Sequence, residues 1–220
     1  MSKTYPFSAV LFDLDGVILD TTALHYRVWT EFGRAHGHVP TQAELVATNG
    51  VRAAETVRAW LGSAVTIEQA ELHAADLSAK ITTMLENENV PAVRGVQNFV
   101  TALAAAGIPR AVATSATPAN ATLSLACVNL ANSFGAVVTA ADVTRGKPDP
   151  EPYLKVAAAL GLPASRCVVF EDSVFGIRAA KAAGAKCAAL TTTFPRETLL
   201  AEKPDWLIAD FLTVPAELRP

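Results

Sequence analysis

The chain has 220 residues, 51% hydrophobic and 18% charged, with 18 Lys plus Arg against 21 Asp plus Glu for a net charge of −3. That much apolar material in so modest a length suits one medium folded unit, or a core carrying an insertion, and excludes a disordered chain. The mild acidity offers no broad basic face to a nucleic-acid backbone, and apolar runs such as residues 102–108 are far too short to span a bilayer.

The first twenty residues lack the long apolar stretch and cleavage region of a secretion signal, so a cytoplasmic location is expected, with no nucleic-acid or membrane partner. Cys127, Cys167 and Cys187 are odd in number and widely spaced. They suggest neither a disulfide framework nor a zinc site, and read as buried free thiols.

In chain order, the first element is an apolar run from Phe7 to Asp13, ended by the turn-forming Asp13-Leu14-Asp15-Gly16. Similar strand-length runs recur at residues 111–114, 136–138, 166–170 and 185–190, with a weaker one at 206–209. Most lack polar alternation, which marks strands buried on both faces of a parallel sheet. Helical patterns fall between them, at residues 96–106, 118–128, 151–160 and 174–183. This alternation predicts an α/β fold: a Rossmann-like open parallel-sheet core with helices on both faces.

The stretch from about Asp20 to Val90 breaks the alternation. It holds helical patterns at residues 22–36, 42–47, 53–60 and 67–85 and no convincing strand. Ligands of open α/β sheets bind beyond the carboxyl ends of the strands, so an insertion directly after strand one would stand over that edge as a cap. The expected organisation is a core of residues 1–19 and 91–220 with a four-helix-type cap of residues 20–90. Hinges are expected near residues 19–21 and 90–94, and nothing in the sequence calls for more than a monomer.

Asp13 and Asp15 place two acids just past a strand expected in mid-sheet. Close carboxylates repel, so such a pair shares a proton or recruits a cation, although Asp-x-Asp alone also serves as a turn cap. Three more polar clusters follow other predicted strands. Thr114-Ser115-Ala116-Thr117 leads into a helix that Thr117 can cap ahead of Pro118; Gly146-Lys147-Pro148-Asp149-Pro150 presents a lysine; Glu171-Asp172-Ser173 ends the fourth strand, with Ser173 able to cap the next helix.

Four polar clusters on one edge favour phosphate chemistry. A phosphate monoester dianion and a carboxylate repel by several kcal/mol at an effective dielectric of about 20 unless positive charge intervenes. Mg2+ and Lys147 would supply it. Asp13, Asp172 and the backbone carbonyl of Asp15 are suitable hard oxygen ligands, with Glu171 supporting the metal shell, while Ser115 and nearby amides such as that of Ala116 would hold phosphate oxygens.

The blocks Phe12-Asp13-Leu14-Asp15-Gly16-Val17-Ile18-Leu19-Asp20, Ala113-Thr114-Ser115, Gly146-Lys147-Pro148-Asp149-Pro150 and Phe170-Glu171-Asp172-Ser173-Val174-Phe175-Gly176 resemble the haloacid dehalogenase-like superfamily. Within it they resemble the sugar phosphatases and β-phosphoglucomutases with a small helical cap. The resemblance implies that Asp13 is the nucleophile that forms an aspartyl phosphate. Asp15 would then protonate the leaving group and afterwards activate water.

It further implies a supporting role near the active-site hinge for His25, with Trp29 four residues on and simply core. Asn49-Gly50-Val51-Arg52-Ala53-Ala54-Glu55 is similar to a substrate-contacting cap loop, with Arg52 and Glu55 meeting the substrate's hydroxyls. The implied activity is Mg2+-dependent hydrolysis of a small sugar or polyol phosphate. β-Phosphoglucomutase activity is the nearest alternative, weakened because Ala53 and Pro118 stand where a mutase would have an arginine and a lysine, and Lys80 does not clearly replace another. Pyrophosphate hydrolysis and non-catalytic binding on the same fold are the remaining alternatives.

Overall fold

In the computed structural model, which describes residues 5–220, β1 (Ala9–Phe12) is a strand with every side chain buried. Its alternate residues serve two apolar cores: Val10 and Phe12 join one cluster, Ala9 and Leu11 the other. The two-residue period of an extended chain requires this split when both faces of a sheet are covered.

The chain then makes α1 (Thr22–Ala35), α2 (Gln42–Ala47), α3 (Ala53–Leu61) and α4 (Ile67–Asn87). Thr41 with Glu44 and Thr66 with Gln69 form capping boxes that start α2 and α4, satisfying amides that a helix end leaves without partners. The chain continues through α5 (Val96–Ala105), β2 (Arg110–Ala113), α6 (Pro118–Cys127), β3 (Ala136–Val138), α7 (Glu151–Ala159), β4 (Cys167–Glu171), α8 (Val174–Ala182), β5 (Lys186–Leu190), α9 (Arg196–Ala201) and β6 (Trp206–Ile208). The strands are parallel in the order β3-β2-β1-β4-β5-β6. This is the Rossmann-like core with an inserted helical cap that the sequence predicts.

β1 is central, and its register sets the site. Phe12 is level with Val112 on one side and Phe170 on the other, so the next residue, Asp13, emerges beside Glu171. The Phe12 and Phe170 rings stack with centroids 5.5 Å apart, and Phe99 of α5 meets Phe12 edge-on at 6.2 Å. Aromatic packing of this kind fixes the strand ends from beneath. Tyr153 of α7 and Ile177 of α8 cover the opposite face.

The outgoing and returning crossings between sheet and cap are hydrogen-bonded to one another. The amide of Asp20 donates to the carbonyl of Pro91 at 2.9 Å, and that of Val93 to Ile18 at 3.0 Å. Leu24, Trp29 and Leu77 of the helical insertion belong to the same apolar cluster as Phe12, so the cap interior is continuous with one face of the sheet. Among the described residues, no helix is long and apolar enough to cross a membrane.

Two details depart from the sequence reading. Cys167 and Cys187 are buried free thiols, but Cys127, the last residue of α6, is exposed. The helix α9 has no counterpart among the predicted elements, because six residues are too few to establish a period.

Gly176, in the first turn of α8, shows how tightly the sheet edge is packed. A Cβ there would lie 1.8 Å from the Glu171 carboxyl. Alanine is the better helix former by about 1 kcal/mol, but overpacking of this kind costs about 1–3 kcal/mol. Gly176→Ala is therefore expected to lower stability in urea unfolding. A gain in stability would mean that the Glu171 carboxylate moves aside freely.

Candidate active site

Every polar cluster singled out in the sequence lies at the carboxyl edge of the sheet, beneath the cap. Thr117 caps α6 by accepting from the amide of Asn120, with Pro118 as the first helical residue, and Ser173 caps α8 by accepting from the amide of Gly176. Both caps hold the loops that carry Ser115 and Asp172 at the strand ends.

The centre is a buried lysine between two acids. Lys147 Nζ donates to Asp13 Oδ1 and to Glu171 Oε1, each at 2.6 Å. Glu171 Oε1 also accepts from the Tyr153 hydroxyl at 2.7 Å, while its Oε2 accepts from the amides of Asp172 and Ser173 and from the Ser173 hydroxyl at 2.9–3.0 Å. With five donors, both Glu171 oxygens are engaged by the protein itself.

Asp13, Glu171 and Asp172 each offer a ligand oxygen, all within 4.8 Å of one another. The carboxylates of Asp13 and Asp172 keep acceptor capacity, since among the described residues one donor bonds each: Lys147 for Asp13 and Thr193 for Asp172. Among the described residues the backbone carbonyl of Asp15 accepts no hydrogen bond. This all-oxygen, anionic donor set fits a hard divalent cation.

The charges respond to this crowding. Burial pushes the Asp13 carboxyl up, Lys147 pulls it back, Glu171 and Asp15 push it further, and it settles at about 7. Asp172 is raised well above the usual carboxylate range, by burial first and then by Glu171 and Asp13. Burial acts on Glu171 in the same direction, but the charge and hydrogen bond of Lys147, together with the other donors, outweigh it and hold this carboxyl ionised below its ordinary value. Lys147 is held protonated above its ordinary value, because its two acid partners overcome the effect of burial. Without a cation, the proton demand therefore falls on Asp13 and Asp172.

Asp15 faces the cap. Its Oδ1 accepts from the Thr21 hydroxyl at 2.8 Å and lies 3.4 Å from His25 Nε2. Burial alone would raise its pKa, but the hydrogen bond and charge of His25, with Thr21, lower it overall.

Above these groups, a cavity of about 300 Å3 separates cap from sheet edge, lined among others by Asp13, Asp15, His25, Arg52, Ser115 and Asp172. The Ser115 hydroxyl donates to the carbonyl of Gly50 in the cap at 3.4 Å, and Arg52 Nη1 donates to Thr144 O at 3.3 Å. Both contacts bring the cap loop down onto the core.

Some expected positions differ. Glu55 is exposed and outside the cavity lining, whereas Glu71 of α4 is part of that lining. Ala116 lines the cavity, and its amide donates to the Thr114 hydroxyl at 3.0 Å within its own loop. Sequence reasoning named neither Tyr153 nor Thr193, and gave Thr21 no role at the acids. Thr193 had a usable signal: the polar run Thr191-Thr192-Thr193 follows an apolar strand, as the other clusters do.

The fold and site define a Rossmann-like parallel-sheet protein with an inserted helical cap and a buried acid cluster at its sheet edge. A sequence profile of the haloacid dehalogenase-like hydrolases matches residues 10–190, and the chain belongs to that family. It is 32% identical over 212 residues to validoxylamine A 7'-phosphate phosphatase of Streptomyces hygroscopicus subsp. limoneus, covering 94% of this chain and 96% of that protein. It is 33% identical to hexitol phosphatase A of Escherichia coli (strain K12), covering 86% of this chain and 84% of that protein. The crystal structure of a haloacid dehalogenase hydrolase, family IA, variant 3, from Entamoeba histolytica superposes with a TM-score of 0.86 at 29% identity, covering 96% of each chain.

The raised acids have a consequence for stability. A carboxyl whose folded pKa lies above its unfolded value, about 3.9 for Asp, stabilises the fold fully below that value and loses this contribution as pH rises through the folded pKa. For Asp13, at about 7, the loss spans the window between the two. In chelator, the chain is expected to lose stability from pH 5 to 8, by roughly one kcal/mol per pH unit for each extra proton the folded chain still holds. Mg2+ is expected to raise Tm more at pH 8 than at pH 5.5 in calorimetry. A chelated chain whose stability rises over this range would contradict the assignment.

Proposed function

We propose that this chain is a divalent-cation-dependent phosphatase that hydrolyses a small sugar or polyol monophosphate. The observation that carries the reading is the convergence of Asp13, Lys147, Asp172 and Asp15 on one covered cavity edge. The relatives named for phosphorylated polyhydroxyl compounds support the substrate class.

In this reading Asp13 and Asp172, with the carbonyl of Asp15, hold Mg2+, and Glu171 orients Lys147 and the Asp172 loop from behind. When bound, the cation supplies positive charge that offsets the repulsion between the ester and the acids. Asp13 attacks phosphorus, so that a bond forms from its carboxylate oxygen as the bond to the alcohol oxygen breaks. Asp15 gives its proton to that departing oxygen and later takes one from the water that attacks the aspartyl phosphate. His25 and Thr21 favour the ionised form of Asp15, and the arriving dianion works the other way, favouring proton uptake on Asp15. Thr21 and His25 aim this carboxyl, and Ser115 meets a phosphate oxygen once it leaves the carbonyl of Gly50.

Residues 20–90 act as the cap, moving on the crossings at 19–21 and 90–94 to admit substrate and exclude water. Arg52 meets the sugar hydroxyls. Among the described residues lining the cavity it is the only Lys or Arg. A mutase that turns a bisphosphate around needs a second cationic pocket, and Lys80 is exposed beside Glu31 at 3.9 Å instead. The same shortage of cations disfavours pyrophosphate as substrate.

The reading is tested by Mg2+-dependent phosphate release from hexose, hexitol, pentose and triose phosphates, with β-glucose 1-phosphate and pyrophosphate in the same panel. Free phosphate from sugar or polyol monophosphates is expected, together with loss of turnover in Asp13→Asn while the folded spectrum is kept. Predominant conversion of β-glucose 1-phosphate to glucose 6-phosphate would overturn it. Arg52→Ala is expected to raise KM for the best substrate about tenfold with a smaller change in kcat, the pattern of a lost ground-state contact. Unchanged kinetics would remove Arg52 from the substrate site.

A further inference from the structure

The loop after β5 joins three parts of the molecule that the sequence keeps far apart. Thr192 Oγ1 donates to the carbonyl of Gly16 at 2.5 Å, in the turn that follows Asp15. The Thr193 hydroxyl donates to Asp172 Oδ2 and lies 3.0 Å from the hydroxyl of Thr22, the first residue of α1 in the cap. The junction is closely packed: a Cβ on Gly16, whose φ is +76°, would fall 2.0 Å from Asp172 Oδ2 and 2.7 Å from Thr193 Oγ1.

Proton counting fixes the direction of this chain. A hydroxyl carries one proton, and Asp172 in the ionised form that a cation requires only accepts. Thr193 spends its proton on Asp172, so the bond between the two threonines runs from Thr22 to Thr193. The order is Thr22 to Thr193 to Asp172, from the start of the cap into the acid cluster. Hydrogen bonds in series polarise one another, so the middle donor is a stronger one while Thr22 is in place.

We propose that Thr193 is a positioning residue that orients Asp172 for the cation and, through Thr22, ties that orientation to the position of the cap. This inference rests on the reading that Asp172 is a cation ligand. By linkage, whatever brings Thr22 onto Thr193 favours ion binding, and a bound ion favours the same cap position to the same extent. A single side chain then couples the two, with no contact to the substrate.

The test is Mg2+ affinity of the full chain, measured by equilibrium dialysis without substrate, for Thr193→Val, Thr22→Val, their combination, Thr193→Ser and Asp172→Asn. Losing a partner behind a metal ligand typically weakens binding about 10–100-fold. Thr193→Val is expected to weaken Mg2+ at least about tenfold, and Thr193→Ser, which keeps the hydroxyl, to stay near wild type. Thr22→Val is expected to weaken Mg2+ by a smaller factor alone and to add nothing when Thr193 is already Val, the non-additivity of residues acting in one chain. Wild-type affinity in a folded Thr193→Val, or equal effects of Thr22→Val in both backgrounds, would overturn the inference. If Thr193→Val does not fold, a Thr193→Ser protein with strongly weakened Mg2+ binding, or a Thr22→Val protein with wild-type affinity, overturns it as well. Asp172→Asn separates the two levels: if it binds Mg2+ as well as wild type, the cation-site reading itself fails, whereas loss in Asp172→Asn with full binding in Thr193→Val refutes only the link.

Discussion

The structure depends on an imbalance of charge in a place that water barely reaches. Asp13, Glu171 and Asp172 are all buried within a few ångströms of one another, and among the described residues the single cation bonded into the group is Lys147. Three carboxylates against one ammonium leave a deficit of two charges, which a protein interior tolerates only by taking up protons or a divalent ion. The protein decides which acid stays charged by where it directs its donors. Glu171 receives five and keeps its charge, while Asp13 and Asp172 are left with open oxygens. The under-satisfied pair faces the cavity, and the satisfied acid lies behind it.

This asymmetry explains much of the surrounding architecture. The pairing of β1 with β4 sets Asp13 beside Glu171, and the packed aromatic side chains beneath keep the strand ends in register. Tyr153 and Gly176 serve the same acid from different helices, one by donating to it and the other by leaving room for it. On the cap side, Thr21, just before α1, and His25 within it serve Asp15, while Gly50 and Arg52 rest on the core loops. The cap thus contributes directly to orienting one carboxylate in addition to roofing the cavity.

Much of this was legible in the sequence because it is written in short continuous blocks. An apolar strand followed by Asp-x-Asp, a helix cap followed by proline, and the Glu171-Asp172-Ser173 block each report their own local geometry, and the sheet order brings them to one edge. What spacing could not reveal involved a change of backbone state or a distant partner. Arg52 is the N-cap of α3 with extended backbone (φ −67°, ψ 135°) and reaches the Thr144 carbonyl of a core loop, whereas Glu55, in the first helical turn, is exposed. Ala116 supplied an amide to the expected phosphate loop, and that amide donates to the Thr114 hydroxyl two residues back. Cys127 looked like core by residue type, but a helix's last residue can turn outward. The polar run after β5 marks Thr193, but its partners Asp172 and Thr22 lie 21 and 171 residues away, and no local pattern encodes that pairing.

The central claim is that the open oxygens of Asp13 and Asp172 exist to share one divalent ion. Its most direct test is to count ions: metal-stripped wild-type protein dialysed to equilibrium against Mg2+ at pH 8, with the metal on the protein measured per chain. The account requires one bound ion, lost when Asp13 and Asp172 are both replaced by asparagine in a chain that still folds. A folded wild-type chain that takes up none, or a doubly substituted one that still binds its ion, would contradict it.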